Sequence, residues 1–238
     1  MGVLVENKLW RNKLFVFRDR FDAGITLASF LLKHNVDYDL VIAIPAGGVP
    51  VGIEIARLKR CKLYLAITRK ILYPWTTEAG FGAVSWMGEV EVNRGITEVT
   101  MISDADIDRS IKRAFKSIEK RMELFKEYLP PKDLGNQKVV IVDDGLATGY
   151  TMLVTVRSIK KLNPGKIIVA VPTSSESAIN MIIDEVDYIY VINLRTGLFY
   201  AVADAYKYWR DLSEEEVLEM VRKYYEWLKS GSPRYVRQ

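Results

Sequence analysis

The chain has 238 residues, 49% of them apolar and 27% charged, a length that suits one large domain with enough material for a buried core. No apolar run reaches the roughly 18 residues of a membrane span, the opening MGVLVENKLWRNK lacks the apolar stretch of a secretory signal, and the lone Cys61 excludes an internal disulfide, so the cytoplasm is the expected compartment. The net charge of +4 is mild and its basic residues alternate with acids, which argues against a nucleic-acid partner and leaves a field that favours a small anionic substrate.

Residues 19–34 read as a helix with Ile25, Leu27, Phe30 and Leu31 on one side. DLVIAIP (39–45) reads as a buried strand, and GVPVGIEIARLKR (48–60) as a helix with Pro50 in its first turn. KLYLAITRK (62–70) reads as one strand and the punctuated stretch 71–82 as a loop. Short strands around 82–92 form a hairpin across Met87-Gly88. Residues 103–129 read as a long helix that Ser103 caps with Asp106 and Pro130-Pro131 ends. A strand at 138–143, a helix at 149–162, a strand at 166–172, a helix at 175–183 and a strand at 187–192 follow. Residues 213–230 read as a terminal amphipathic helix.

VVIV and KIIVAV are apolar without alternation. Such strands are buried on both faces, which predicts an α/β fold: a mostly parallel central sheet with helices on both faces. Ligands in such sheets bind beyond the carboxyl ends of the strands. Three strands end there in unusual residues: Ala46-Gly47-Gly48, Arg69-Lys70, and Asp143-Asp144-Gly145-Leu146-Ala147-Thr148-Gly149-Tyr150-Thr151. In the last, a loop of small residues enters a helix, so backbone N–H groups point at a position where the helix dipole favours an anion. Thr148 and Thr151 add hydroxyls, and Gly149 permits a positive φ. The loop lacks the Lys-Ser/Thr ending of a nucleoside-triphosphate loop. Phosphate on the loop, with sugar hydroxyls on Asp143 and Asp144, describes a ribose 5-phosphate.

These residues resemble the phosphoribosyl diphosphate (PRPP) motif of the type I phosphoribosyltransferases, and among subgroups the chain is similar to the predicted phosphoribosyltransferases in GGVPVG, RK, GAV, DDGLATG and FYAV. The resemblance implies a single domain over 1–238, with a core of about 36–195 and a small hood from about 1–35 and 196–230. It implies that Ala46, Gly47 and Gly48 form a pyrophosphate loop that often carries a non-proline cis peptide. It implies that Arg69 and Lys70 meet the diphosphate, that 71–82 is a lid carrying Glu78, and that Phe199 or Tyr200 meets the acceptor. The implied activity is transfer of phosphoribosyl from PRPP to a nitrogenous base, purine salvage first among the choices, with release of pyrophosphate. Mg²⁺ is the implied cofactor, held mainly through PRPP with Asp143 and Asp144 at its edge, and a homodimer the implied assembly. Two departures stand out: Ala147 occupies the place of an acid in 6-oxopurine enzymes, and Ala46 the place of a frequent basic residue. The competing reading is a regulator of the same fold that binds PRPP or a nucleotide without turnover.

Overall fold

The structure is a computed structural model that describes residues 2–77, 79–197 and 200–231. Its strands are β1 (Val3–Glu6), β2 (Leu40–Ala43), β3 (Lys62–Leu65), β4 (Thr68–Leu72), β5 (Gly80–Ser85), β6 (Val90–Val92), β7 (Lys138–Val142), β8 (Lys166–Ser175) and β9 (Tyr188–Arg195). Its helices are α1 (Arg20–Lys33), α2 (Gly48–Lys59), α3 (Arg94–Val99), α4 (Asp104–Leu124), α5 (Tyr150–Lys160), α6 (Glu176–Ile182) and α7 (Glu214–Lys229).

Six strands form one parallel sheet in the order β1-β9-β8-β7-β2-β3. Side chains alternate across it, as the two-residue repeat of a strand requires. Val41, Ala43, Val140 and Val142 pack in the core beneath α1 and α2. Leu40, Ile42, Val139 and Ile141 pack in the other core with Met152, Leu153 and Val156 of α5 and Ile179 of α6. Both sets are buried, which is why β2 and β7 read as unbroken apolar runs. The expected α/β architecture is thus the observed one.

A second, antiparallel sheet runs β4-β5-β6. α4 covers one side of it and α5 the other, so α5 lies between the two sheets. Ser158 on α5 donates to Ser85 Oγ on β5 at 2.6 Å, and Arg157 pairs with Glu91 on β6 at 2.6 Å.

The stretch expected as one strand over 62–70 is two. β3 ends at Leu65, and the chain passes to β4 in the second sheet at Thr68. The expectation set 1–35 in a hood, but β1 pairs with β9 at the edge of the main sheet, and α1 packs on α2, β8 and β9. Ile25 faces solvent, while Ala23, Leu27, Ala28 and Leu31 form the buried face of α1. At the opposite edge, α7 closes β3: Tyr225 donates from its hydroxyl to the Leu63 carbonyl at 2.8 Å, and Tyr224 donates to the Cys61 carbonyl. Those bonds occupy carbonyls that an open edge strand would leave unpaired.

Candidate active site

β2, β7 and β8 are neighbours in the parallel sheet, so the segments that follow them meet at one edge. After β7 come Asp143 and Asp144, with the Asp144 amide donating to Asp143 Oδ1 at 2.8 Å. The loop after β2 lies directly against them. A methyl group on Gly47 would fall 1.8 Å from Asp144 Oδ2, and one on Gly48 would fall 2.9 Å from the Asp143 Cα. Only glycine lets these two loops touch. The peptide between Pro45 and Ala46 is cis.

The loop 145–149 is pinned from outside and leaves its inner face open. Leu146 donates its amide to the Thr173 carbonyl at 3.1 Å and accepts from Ser175 N at 2.9 Å. Ser175 Oγ donates to the Ala147 carbonyl at 2.6 Å. A methyl group on Gly145 would collide with Val202 at 2.6 Å. Gly149 has φ +86°, the left-handed region that turns the chain into α5. Leu153 begins the helical pattern by donating to Gly149 O at 2.8 Å. Among the described residues, the amides of Ala147, Thr148, Gly149, Tyr150 and Thr151 donate to no carbonyl or side chain. Ala147 and Thr148 are exposed. Five free N–H groups at the positive end of an eleven-residue helix make an anion cradle.

The two carboxylates differ in surroundings. Burial, and after it the charge of Asp144, pushes the Asp143 carboxyl well above the usual carboxylate range, and Lys70 opposes the shift. Asp144 is paired: Arg20 Nε lies 2.7 Å from Asp144 Oδ2, with side-chain exposures of 10% and 13%. Tyr206 donates from its hydroxyl to the Asp144 carbonyl at 2.6 Å. Sequence reasoning missed Arg20. Its one signal is a charge at a helix start whose following residues face the core, and nothing local names its partner 124 positions away.

The structure separates the basic pair. Arg69 and Lys70 are consecutive on β4, so their side chains leave opposite faces. Lys70 leaves β4 on the face opposite Arg69, and its charge acts to lower the pKa of Asp143. Arg69 turns to α4, where its Nε donates to Ser117 Oγ at 3.0 Å. Burial, with the nearby Arg121, lowers the pKa of the Arg69 guanidinium, while Glu214 opposes the change. Tyr200 turns inward, its hydroxyl donating to Thr173 Oγ1 at 3.1 Å, and burial raises its pKa. Phe199 and Glu78 lie outside the described residues.

Residues 92–193 match the phosphoribosyl transferase domain family. Two Mycobacterium tuberculosis proteins, each named "Putative phosphoribosyl transferase", are 30% identical to the chain over 204 residues, which is 85% of this chain and 46% of theirs. The crystal structure of TT1426 from Thermus thermophilus superposes with a TM-score of 0.67 at 28% identity, covering 87% of this chain and 98% of that one. The chain thus carries a phosphoribosyl transferase domain match within this α/β fold. It spans about half the length of the curated relatives it matches. The matched segment runs from the end of β6 to β9 and so contains the paired aspartates and the cradle. Among the described residues no helix is long and apolar enough to cross a membrane.

Proposed function

We propose that the protein transfers a phosphoribosyl group from PRPP to a nitrogenous base and releases pyrophosphate, with purine salvage as the setting. The observation that carries this reading is the row of free amides from Ala147 to Thr151 beside Asp143 and Asp144. The amides and the hydroxyls of Thr148 and Thr151 take the 5-phosphate, and the two aspartates accept from the ribose hydroxyls. Lys70 and the loop Ala46-Gly47-Gly48 receive the diphosphate. As the bond from the anomeric carbon to the diphosphate breaks, positive charge grows on the sugar and negative charge on the leaving group. The carboxylates stabilise the first and Lys70 the second. Little covalent chemistry is asked of the protein.

No group of three or more His, Cys, Asp or Glu side chains among the described residues is placed to hold a metal ion. With Asp144 Oδ2 engaged by Arg20, the donor set suits a magnesium ion carried by the phosphates of PRPP, with Asp143 and Asp144 at its edge. When bound, that ion supplies charge neutralisation of the diphosphate. The acceptor is assigned to the region of Tyr200 and Phe199. A homodimer in the cytoplasm is the proposed working form.

Ala46 and Ala147, standing where the family resemblance implies a basic residue and, in 6-oxopurine enzymes, an acidic one, favour a second reading as a PRPP-binding regulator without turnover. One experiment separates the two. The protein is incubated with PRPP, Mg²⁺ and a panel of purine and pyrimidine bases, and pyrophosphate is measured. Release with one base supports the transferase; PRPP binding without release on any base supports the regulator; absence of PRPP binding overturns both.

A further inference from the structure

Arg20 opens α1 and is 9% exposed. Its guanidinium is engaged in three directions. Nε donates to Asp144 Oδ2 at 2.7 Å and Nη1 donates to the Arg210 carbonyl at 2.7 Å. The flat face lies 3.8 Å from the centroid of the Trp209 ring. Trp209 packs at 5.2 Å on Tyr206, whose hydroxyl holds the Asp144 carbonyl. Asp144 is therefore fixed at its amide, its carbonyl and one carboxylate oxygen, by Asp143 just after β7, by α1 and by the segment 206–210.

A planar cation stacked on an indole keeps its N–H groups in the plane, where they reach two acceptors at once. A lysine carries charge but not that fork. The pairing also bears on a difficulty of the site: two adjacent carboxylates stand next to a cradle built for a phosphate. A cation on Asp144 removes most of the repulsion that an arriving polyanion would meet there.

We propose that Arg20, backed by Trp209, is a positioning residue for the sugar: it holds the Asp144 carboxylate in the orientation that meets the ribose hydroxyls and cancels its charge beside the phosphate cradle. The inference rests on the PRPP reading of the site and adds a role for a residue outside the motif. It also gives segment 206–210 a part in donor binding, because that segment supplies the surface against which Arg20 is held.

The test is calorimetric titration of PRPP into the wild type, Arg20→Ala, Arg20→Lys, Asp144→Asn and the double variant Arg20→Ala/Asp144→Asn, with thermal unfolding of each as a folding control. Arg20→Ala is expected to weaken PRPP binding by roughly tenfold or more, and Arg20→Lys by less. In the Asp144→Asn background, removing Arg20 is expected to cost little further, because Arg20 acts through Asp144. Millimolar guanidinium is expected to restore part of the affinity of Arg20→Ala. Should Arg20→Ala fail to fold, Arg20→Lys and Trp209→Ala carry the test by the same affinity readout. Wild-type affinity in the folded Arg20 variants, or an equal loss in both backgrounds, overturns the inference while leaving the PRPP reading in place. A wild type that binds no PRPP overturns both.

Discussion

Gly47 stands against the Asp144 carboxylate with no room for one more carbon: a methyl group there would sit 1.8 Å from Oδ2. The clash involves a carboxylate held by Arg20, so it is not relieved by a small rotation. Gly47→Ala is expected to displace Asp144 and to weaken PRPP binding by about 1.5–3 kcal/mol, the worth of a charge-assisted contact. Gly95→Ala is the control, since its nearest neighbour would be Asn93 Oδ1 at 3.6 Å. That change is expected to leave binding alone and to raise stability by about 0.4–1 kcal/mol, measured by urea unfolding.

Thr148 is exposed at the mouth of the cradle. Thr148→Ala removes one hydroxyl donor while keeping the amides. The expected loss in PRPP affinity is about 1.5–3 kcal/mol, read by titration, with stability unchanged. Thr148→Ser is expected to retain most of the wild-type affinity.

Arg69 and Lys70 are expected to behave as different residues despite adjacency. Lys70→Ala should weaken PRPP and pyrophosphate binding and flatten their dependence on salt. Arg69→Ala should leave both affinities within about 0.5 kcal/mol and lower stability instead, because its partner is Ser117 on α4. Titration at two salt concentrations, together with unfolding curves, distinguishes them.

Burial pushes the Cys61 thiol up to about 12. At pH 8 the native protein is expected to react slowly with a disulfide reagent, and one equivalent of thiol should become reactive on unfolding. The sign of the linkage follows from the raised value. Folded Cys61 holds its proton more tightly than unfolded Cys61, whose ordinary value is about 8.5. Its contribution to stability is complete below that value and is lost as pH rises toward 12. Unfolding free energies of wild type and Cys61→Ala between pH 8 and 10 should therefore converge as pH increases.

The hydroxyl of Tyr225 serves the edge strand β3 through the Leu63 carbonyl. Tyr225→Phe is expected to cost about 1 kcal/mol, seen as a lower urea midpoint with an unchanged slope. Tyr208→Phe, at a side chain that is 73% exposed, should lie within about 0.5 kcal/mol of wild type.

What the sequence makes legible follows from how far each signal reaches. β2, β7 and β8 announce themselves because burial on both faces demands continuous apolar residues. The cradle is legible because strand, loop and helix are contiguous from Val139 to Met152. β1 has four residues and α3 has six, too short for either period to show. The break between β3 and β4 is hidden because Ala66 and Ile67 are buried and apolar, so the pattern continues while the chain changes sheets. Arg20 is silent because the meaning of its charge lies in Asp144 and Trp209, both remote in sequence.

The placement of α5 has one further consequence. Its first turn lines the cradle, one flank packs on the main sheet, and the other is tied to the small sheet through Ser158 and Arg157. Lys70 is carried by that same small sheet. The helix is thus a shared strut, and the spacing between the two ends of a bound donor is set by a single rigid member rather than by two independent loops.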